Sequence, residues 1–145
     1  MAKRTKKIKE QRAGPFHATR EHHSAEIAED YTELIYELIE SRGEARIRDL
    51  AEQLGVSHVT ALRAVRRLQK EGYLTKVPRK PILLTAKGRR LALFARSRHA
   101  LLVEFLQTLG VTKKQAEIDA EGAEHHLSRE TLRCIRRSLG KKSKA

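Results

Sequence analysis

The chain has 145 residues, enough for one or two small domains with a modest core. Hydrophobic residues make up 39% and charged residues 34%, which excludes a disordered chain. With no Trp and only three Tyr and three Phe, the core must come from Leu, Ile, Val and Ala, and that favours helices. No apolar stretch is long enough to span a bilayer, and no apolar signal region follows the basic start. The lone Cys134 has no partner for an internal disulfide, so a cytoplasmic protein without membrane contact is expected.

The net charge of +13 is concentrated at the two ends. Residues 1–23 hold seven Lys/Arg against two acids, and residues 133–145 hold six Lys/Arg and no acid. Two cationic arms around a nearly neutral body point to a polyanionic partner, although solvated tails have the same composition.

Residues 1–23 lack helical periodicity up to Pro15 and are expected to form a flexible arm. From Ser24, a plausible cap, Ile27, Tyr31, Leu34, Ile35, Leu38 and Ile39 recur at steps of three and four. They predict an amphipathic helix that ends at Gly43. Residues 45–55 predict a short helix with Ile47, Leu50, Ala51 and Leu54 buried. A third helix is expected from Ser57 to about Glu71, with Val59, Leu62, Val65 and Leu68 as its buried stripe. Tyr73–Val77 and Ile82–Leu84 read as two strands around the turn Pro78-Arg79-Lys80-Pro81. Thr85 then caps a long helix that closes at Gly110, and two helical pieces follow over about 112–126 and 128–138.

Two short helices joined by a Gly-Val-Ser turn and followed by a basic hairpin form the winged helix-turn-helix pattern. Its second helix would present Ser57, His58, Thr60, Ala61, Arg63, Arg66 and Arg67 to the major groove, with Arg79 and Lys80 at the wing tip. A helical hairpin with a solvated basic face is the bland alternative.

The second informative feature is acidic. Asp30 and Glu33 share one face of the first helix, and Glu121, Glu124 and His125 share another, while His99 lies within the long helix. Carboxylate and imidazole donors without thiolate suit a hard divalent ion such as Mn(II) or Fe(II). Spacing alone leaves a solvated acidic face as an equal reading. HxxxH and HExxH patterns are absent, and no nucleophile–base pair is evident, so an enzyme is not expected.

Four stretches carry a resemblance to a known family. They are EDYTELIYELIESRGEARIRDLAEQLGVS (29–57), VRRLQKEGYL (65–74), LLTAKG (83–88), and the pair RHALLVEFLQTLGV (98–111) with DAEGAEHHLS (119–128). Together they resemble the manganese transport regulators of the diphtheria-toxin-repressor family over about Glu21 to Ser138. The resemblance implies a mainly α chain. A winged helix-turn-helix domain over 24–85 precedes an all-α dimerisation domain over 86–138, between the arm at 1–23 and a basic tail at 139–145. It also implies a homodimer that binds a roughly palindromic DNA operator. Two Mn(II) ions per subunit are implied, with Fe(II) as an alternative, held by Asp30, Glu33, His99, Glu121, Glu124 and His125. A metal-independent regulator and a nucleoid-type architectural protein are the competing readings.

Overall fold

The computed structural model describes residues 23–140. Helix α1 covers 23–42. It is followed by α2 (Ile47–Leu54), α3 (His58–Lys70), strands β1 (Leu74–Thr75) and β2 (Leu83–Leu84), and α4 (Ala86–Thr108). Helix α5 (Lys113–Ala123), a 3-10 turn (Glu124–His126) and α6 (Arg129–Ser138) complete the fold. The architecture is mainly helical, with an antiparallel hairpin pairing Leu74 with Leu84 and Thr75 with Leu83. The arm expected at 1–23 and the tail at 139–145 lie outside the described residues, apart from His23, Leu139 and Gly140.

Two cores form. Tyr31, Ile35 and Leu38 of α1 pack with Leu50 of α2, Val65 and Leu68 of α3, and Leu74 and Ile82 of the hairpin. A smaller cluster joins Leu101 and Leu102 of α4 to Ala120 of α5 and Ile135 of α6. Burial of apolar area drives both. The small residues Ala116 and Ala120 are fully buried and let α5 lie close to its neighbours.

Four details differ from expectation. Helix α1 is already formed at residue 23, so Ser24 lies inside it, where its carbonyl accepts a hydrogen bond from Arg67 Nη2 at 3.1 Å. On α3 the buried stripe is Ala61, Val65 and Leu68, and Val59 is 56% exposed. Positions 61, 65 and 68 follow the helical repeat, whereas residue 59 falls on the opposite side, so Ala61 is core rather than reading face. The strands are two residues each. Pro78 and Pro81 bring no N–H to extend the ladder, and Lys76 Nζ instead donates to the carbonyls of Val77 (2.8 Å) and Lys80 (2.7 Å). Finally, the helix expected over 112–126 ends at Ala123 and tightens into the 3-10 turn.

The hairpin is tied at both ends. Ile82 N–H donates to the Ala45 carbonyl at 2.8 Å, and Thr85 N–H donates to the Tyr73 carbonyl at 3.1 Å. At the start of α4, a Cβ added to Gly88 would lie 1.9 Å from the Tyr73 carbonyl oxygen. Only glycine lets the helix begin so close to the hairpin. Thr85 caps this start by accepting from Gly88 N–H at 3.1 Å.

Candidate metal centre and nucleic-acid interface

Helix α1 buries one side in the first core, which turns Glu26, Asp30, Glu33 and Glu37 outward along the opposite stripe at helical spacing. Part of that stripe meets α4 and the 3-10 turn. Two groups of potential metal-holding side chains result, each with donor atoms within 4.8 Å of one another: Glu26, Asp30 and His125, and His99, Glu121 and Glu124. His125 Nε2 lies 3.3 Å from Asp30 Oδ1 and 3.6 Å from Glu124 Oε1, so the two groups adjoin. His99 Nδ1 lies 2.6 Å from Glu124 Oε2 and 3.7 Å from Glu121 Oε2. Glu33 lines a cleft of about 330 Å³ that it shares with Asp30, Glu37, His99 and Glu121. All six sequence-predicted ligands therefore converge on one region, from segments about seventy to a hundred residues apart in sequence. Glu124 is 2% exposed, while Glu121, one turn earlier, stands at the rim.

The electrostatics fit a cation. Burial, with Glu26, Glu121 and Glu124 adding negative charge against the opposing His125, pushes the Asp30 carboxyl up to about 6. Burial, followed by Glu124 and Glu37, pushes Glu33 up to about 7. Burial also raises Glu124, although the hydrogen bond from His99 works against it. A donor set of four carboxylates and two imidazoles, in which Asp30, Glu33 and Glu124 resist ionisation, is matched by a hard divalent ion.

Three residues of this region were not foreseen. Glu26 stands four residues before Asp30 on the same stripe, so its spacing could have revealed it. Glu29 and Arg98 form a buried ion pair beside His125, bridging 69 residues of sequence, and no local pattern announces it.

The proposed reading face lies on α3. Ser57 caps the helix by accepting from Thr60 N–H at 3.1 Å and donates through Oγ to Thr60 Oγ1 at 2.9 Å. Ser57, His58, Thr60, Arg63 and Arg66 are all exposed, as are Arg79 and Lys80 on the wing. Arg79 sits in the left-handed region with φ 64°, which turns the wing tip. Arg67 shares the helix face of Thr60 and Arg63, but its side chain does not project with theirs. It is turned toward α1, bonded to the Ser24 carbonyl and 3.3 Å from Glu71 Oε1.

Known proteins resemble both halves. Residues 24–82 match the family model for the iron dependent repressor, N-terminal DNA binding domain, and residues 85–144 match the iron dependent repressor, metal binding and dimerisation domain. The chain is 45% identical over 121 residues to the transcriptional regulator MntR of Escherichia coli O6:H1, covering 83% of this chain and 78% of that one. It is 42% identical over 100 residues to the HTH-type transcriptional regulator MntR of Bacillus subtilis strain 168, covering 69% and 70%. Among solved structures it resembles a manganese-dependent transcriptional repressor in complex with manganese (TM-score 0.70, 32% identity, 79% of this chain and 53% of that one). It also resembles the manganese regulator SloR (TM-score 0.68, 30% identity, 79% and 54%). The chain thus spans about half the length of these solved relatives.

Proposed function

The chain belongs to the iron dependent repressor family, as both of that family's modules match it, and from this premise we propose that it is a manganese(II)-responsive repressor of metal-uptake genes. The observation that supports this most is the convergence of Asp30, Glu33, His99, Glu121, Glu124 and His125 in oxygen- and nitrogen-rich surroundings without a thiolate. Two adjoining donor groups suit two ions per subunit, with Glu124 and His125 at the boundary. The relatives named above are transcriptional regulators rather than enzymes, and the chain acts in the same class.

When bound, Mn(II) supplies the positive charge that cancels the repulsion among the carboxylates. The side chains do the rest. Asp30 and Glu33 project from α1, which is packed in one core with α2 and α3. His99, Glu121, Glu124 and His125 belong to the other half. With their repulsion neutralised, these side chains hold α1, and with it the reading helix α3, at a fixed orientation to the dimerisation half. In a homodimer this sets the distance between two reading heads, which must match successive major grooves about 34 Å apart. These six side chains would favour the DNA-competent arrangement to the extent that they hold the ion more tightly there.

Ser57, His58, Thr60, Arg63 and Arg66 on α3 offer donors for base edges and phosphates, and Arg79 and Lys80 offer charge for the backbone. Exposed Val59 beside them is an apolar group of the kind that meets a thymine methyl. Arg67, turned to α1, is the weakest member of the set. Two-fold symmetry of the dimer implies a roughly palindromic operator. No described helix is long and apolar enough to cross a membrane, and a repressor of this kind works in the cytoplasm, beside the chromosome.

The test is to mix the metal-free protein with sheared DNA from its host and sequence the bound fragments with and without Mn(II). Enrichment of a few palindromic sites only with Mn(II) is expected. Equal capture of those sites without metal would point to a metal-independent regulator, and indiscriminate capture to an architectural protein.

A further inference from the structure

His125 is held from both sides of its ring. Nε2 faces the proposed ligands, 3.3 Å from Asp30 Oδ1 and 3.6 Å from Glu124 Oε1. Nδ1 faces away from them, 2.7 Å from Glu29 Oε2. Arg98 Nη2 also approaches Nδ1, at 3.2 Å, and it can only donate. The carboxylate contact is the nearer, and a bare Nδ1 lone pair against a carboxylate oxygen at 2.7 Å would be repelled. Nδ1 therefore carries the proton and donates it to Glu29, which leaves the Nε2 lone pair free to bind metal. Glu29 is itself fixed by Arg98, whose guanidinium grips it through both terminal nitrogens, Nη1 at 3.2 Å from Oε1 and Nη2 against Oε2.

The burial of this assembly is unusual. The side chains of Arg98, His125 and Glu29 are 6%, 6% and 13% exposed. Arg98 Nε has no hydrogen-bond partner among the described residues. A buried ion pair with an unsatisfied donor is a poor source of stability, and apolar side chains of similar volume commonly serve stability as well or better. Its position suggests a different use. Glu29 is the α1 residue next to Asp30, and Arg98 is the α4 residue next to His99. Each partner thus sits beside a proposed ligand and reaches across to the back of a third.

We propose that Glu29, clamped by Arg98, is the positioning residue of the metal centre, setting the tautomer and ring orientation of His125. The proposal rests on the metal reading above. It goes further in assigning a function to two residues that bind no metal. Outer groups that hold the far nitrogen of a ligating histidine typically change metal affinity by about 10–100-fold.

The test uses the double variant Glu29→Leu/Arg98→Met, which removes both charges together and leaves neither buried alone. Affinity for Mn(II) is read by titration calorimetry. The His125 tautomer is read from side-chain ¹⁵N shifts of the protein loaded with diamagnetic Cd(II). Melting of the metal-free protein reports folding. The expected result is a metal-free Tm at or above that of the parent, an Mn(II) affinity about 10–100-fold weaker, and a loss of the single Nδ1–H tautomer. A folded variant with parental affinity and an unchanged tautomer would overturn the proposal. Should the double variant fail to fold, Glu29→Gln decides the same question. It keeps an acceptor but loses the charge, so severalfold weaker binding and a mixed tautomer support the role, and parental values refute it. Glu124→Ala, run in parallel, separates the two claims. If Glu124→Ala also binds as the parent does, the metal reading itself fails. If it loses metal while the Glu29 variants do not, only the positioning role fails.

Discussion

At the scale of single residues, the two most informative side chains are Asp30 and Glu33, because both resist giving up a proton. Burial and neighbouring carboxylates push them up to about 6 and about 7. A metal that binds them as carboxylates must displace any proton they hold, so its apparent affinity depends on pH. Below about pH 7 Glu33 is mostly protonated, and below about pH 6 Asp30 is too. Mn(II) binding should therefore weaken by about tenfold or more between pH 8 and pH 6, with protons released into the buffer on binding. Calorimetry in two buffers of different ionisation enthalpy would count those protons, and a pH-independent affinity with no proton release would remove both groups from the site. Glu124 gives a sharper test. It is the most buried carboxylate of the region and contacts both His99 and His125. Glu124→Ala should abolish Mn(II)-dependent DNA binding while leaving a folded dimer, as read by gel shift and sedimentation. A variant that still responds to Mn(II) as the parent does would show the assignment to be wrong.

Between elements, the critical junction is where the hairpin passes into α4. Gly88 lies against the Tyr73 carbonyl, and a methyl there would come within 1.9 Å of that oxygen. The obstacle is backbone, so the helix or the hairpin must shift. Gly88→Ala should cost about 1–3 kcal/mol, the usual penalty of overpacking, seen as a lower midpoint in urea with an unchanged slope. An unaltered midpoint would mean that the junction gives easily. On α3, Arg63 is exposed on the proposed reading face, away from the proposed metal ligands in sequence. Arg63→Ala should weaken operator binding by about 1–3 kcal/mol if it reads a base and leave metal stoichiometry unchanged. Unchanged operator affinity would remove it from that face.

The same elements show what the sequence makes legible. Helix type, order and the wing can be read because apolar periodicity, Ser57 and Thr85 as caps, and Pro and Gly as breaks all agree locally. The phase of α3 is misread at Val59 because hydrophobicity suggests burial, whereas Ala61, the smaller residue, fits against the neighbouring helices. The six predicted ligands are grouped by residue type, spacing and family resemblance. Glu29 and Arg98 escape because an ion pair across 69 residues leaves no local period. Arg67 is assigned by helix face, and only the tertiary contact to Ser24 shows that it points elsewhere.

For the molecule as a whole, the proposed metal region is a place where stability would be set against function. In the unfolded chain Asp30 and Glu33 would titrate near their ordinary values of 3.8 and 4.5, whereas in the fold they titrate near 6 and 7. Between those limits the folded chain binds more protons than the unfolded one, so stability falls as pH rises. The contribution is complete below the ordinary carboxylate range and is gone once pH passes about 7. The metal-free protein should accordingly melt at a lower temperature at about pH 8 than at about pH 5, and Glu33→Gln should flatten that slope, since a neutral side chain has no proton to lose. Mn(II) acts in the opposite direction and most strongly where the carboxylates are ionised. At a free concentration about a hundred times its dissociation constant, a single ion adds about 2.7 kcal/mol, and at about 4 °C per kcal/mol for a chain of this size the Tm rises by about 10 °C. The rise should be large at the higher pH and small at the lower. Scanning calorimetry of the parent and Glu33→Gln at both pH values, with and without Mn(II), resolves the two effects. A parent whose metal-free Tm does not fall as pH rises, or whose Mn(II) stabilisation is the same at both pH values, would show that these carboxylates are not where charge and fold oppose each other.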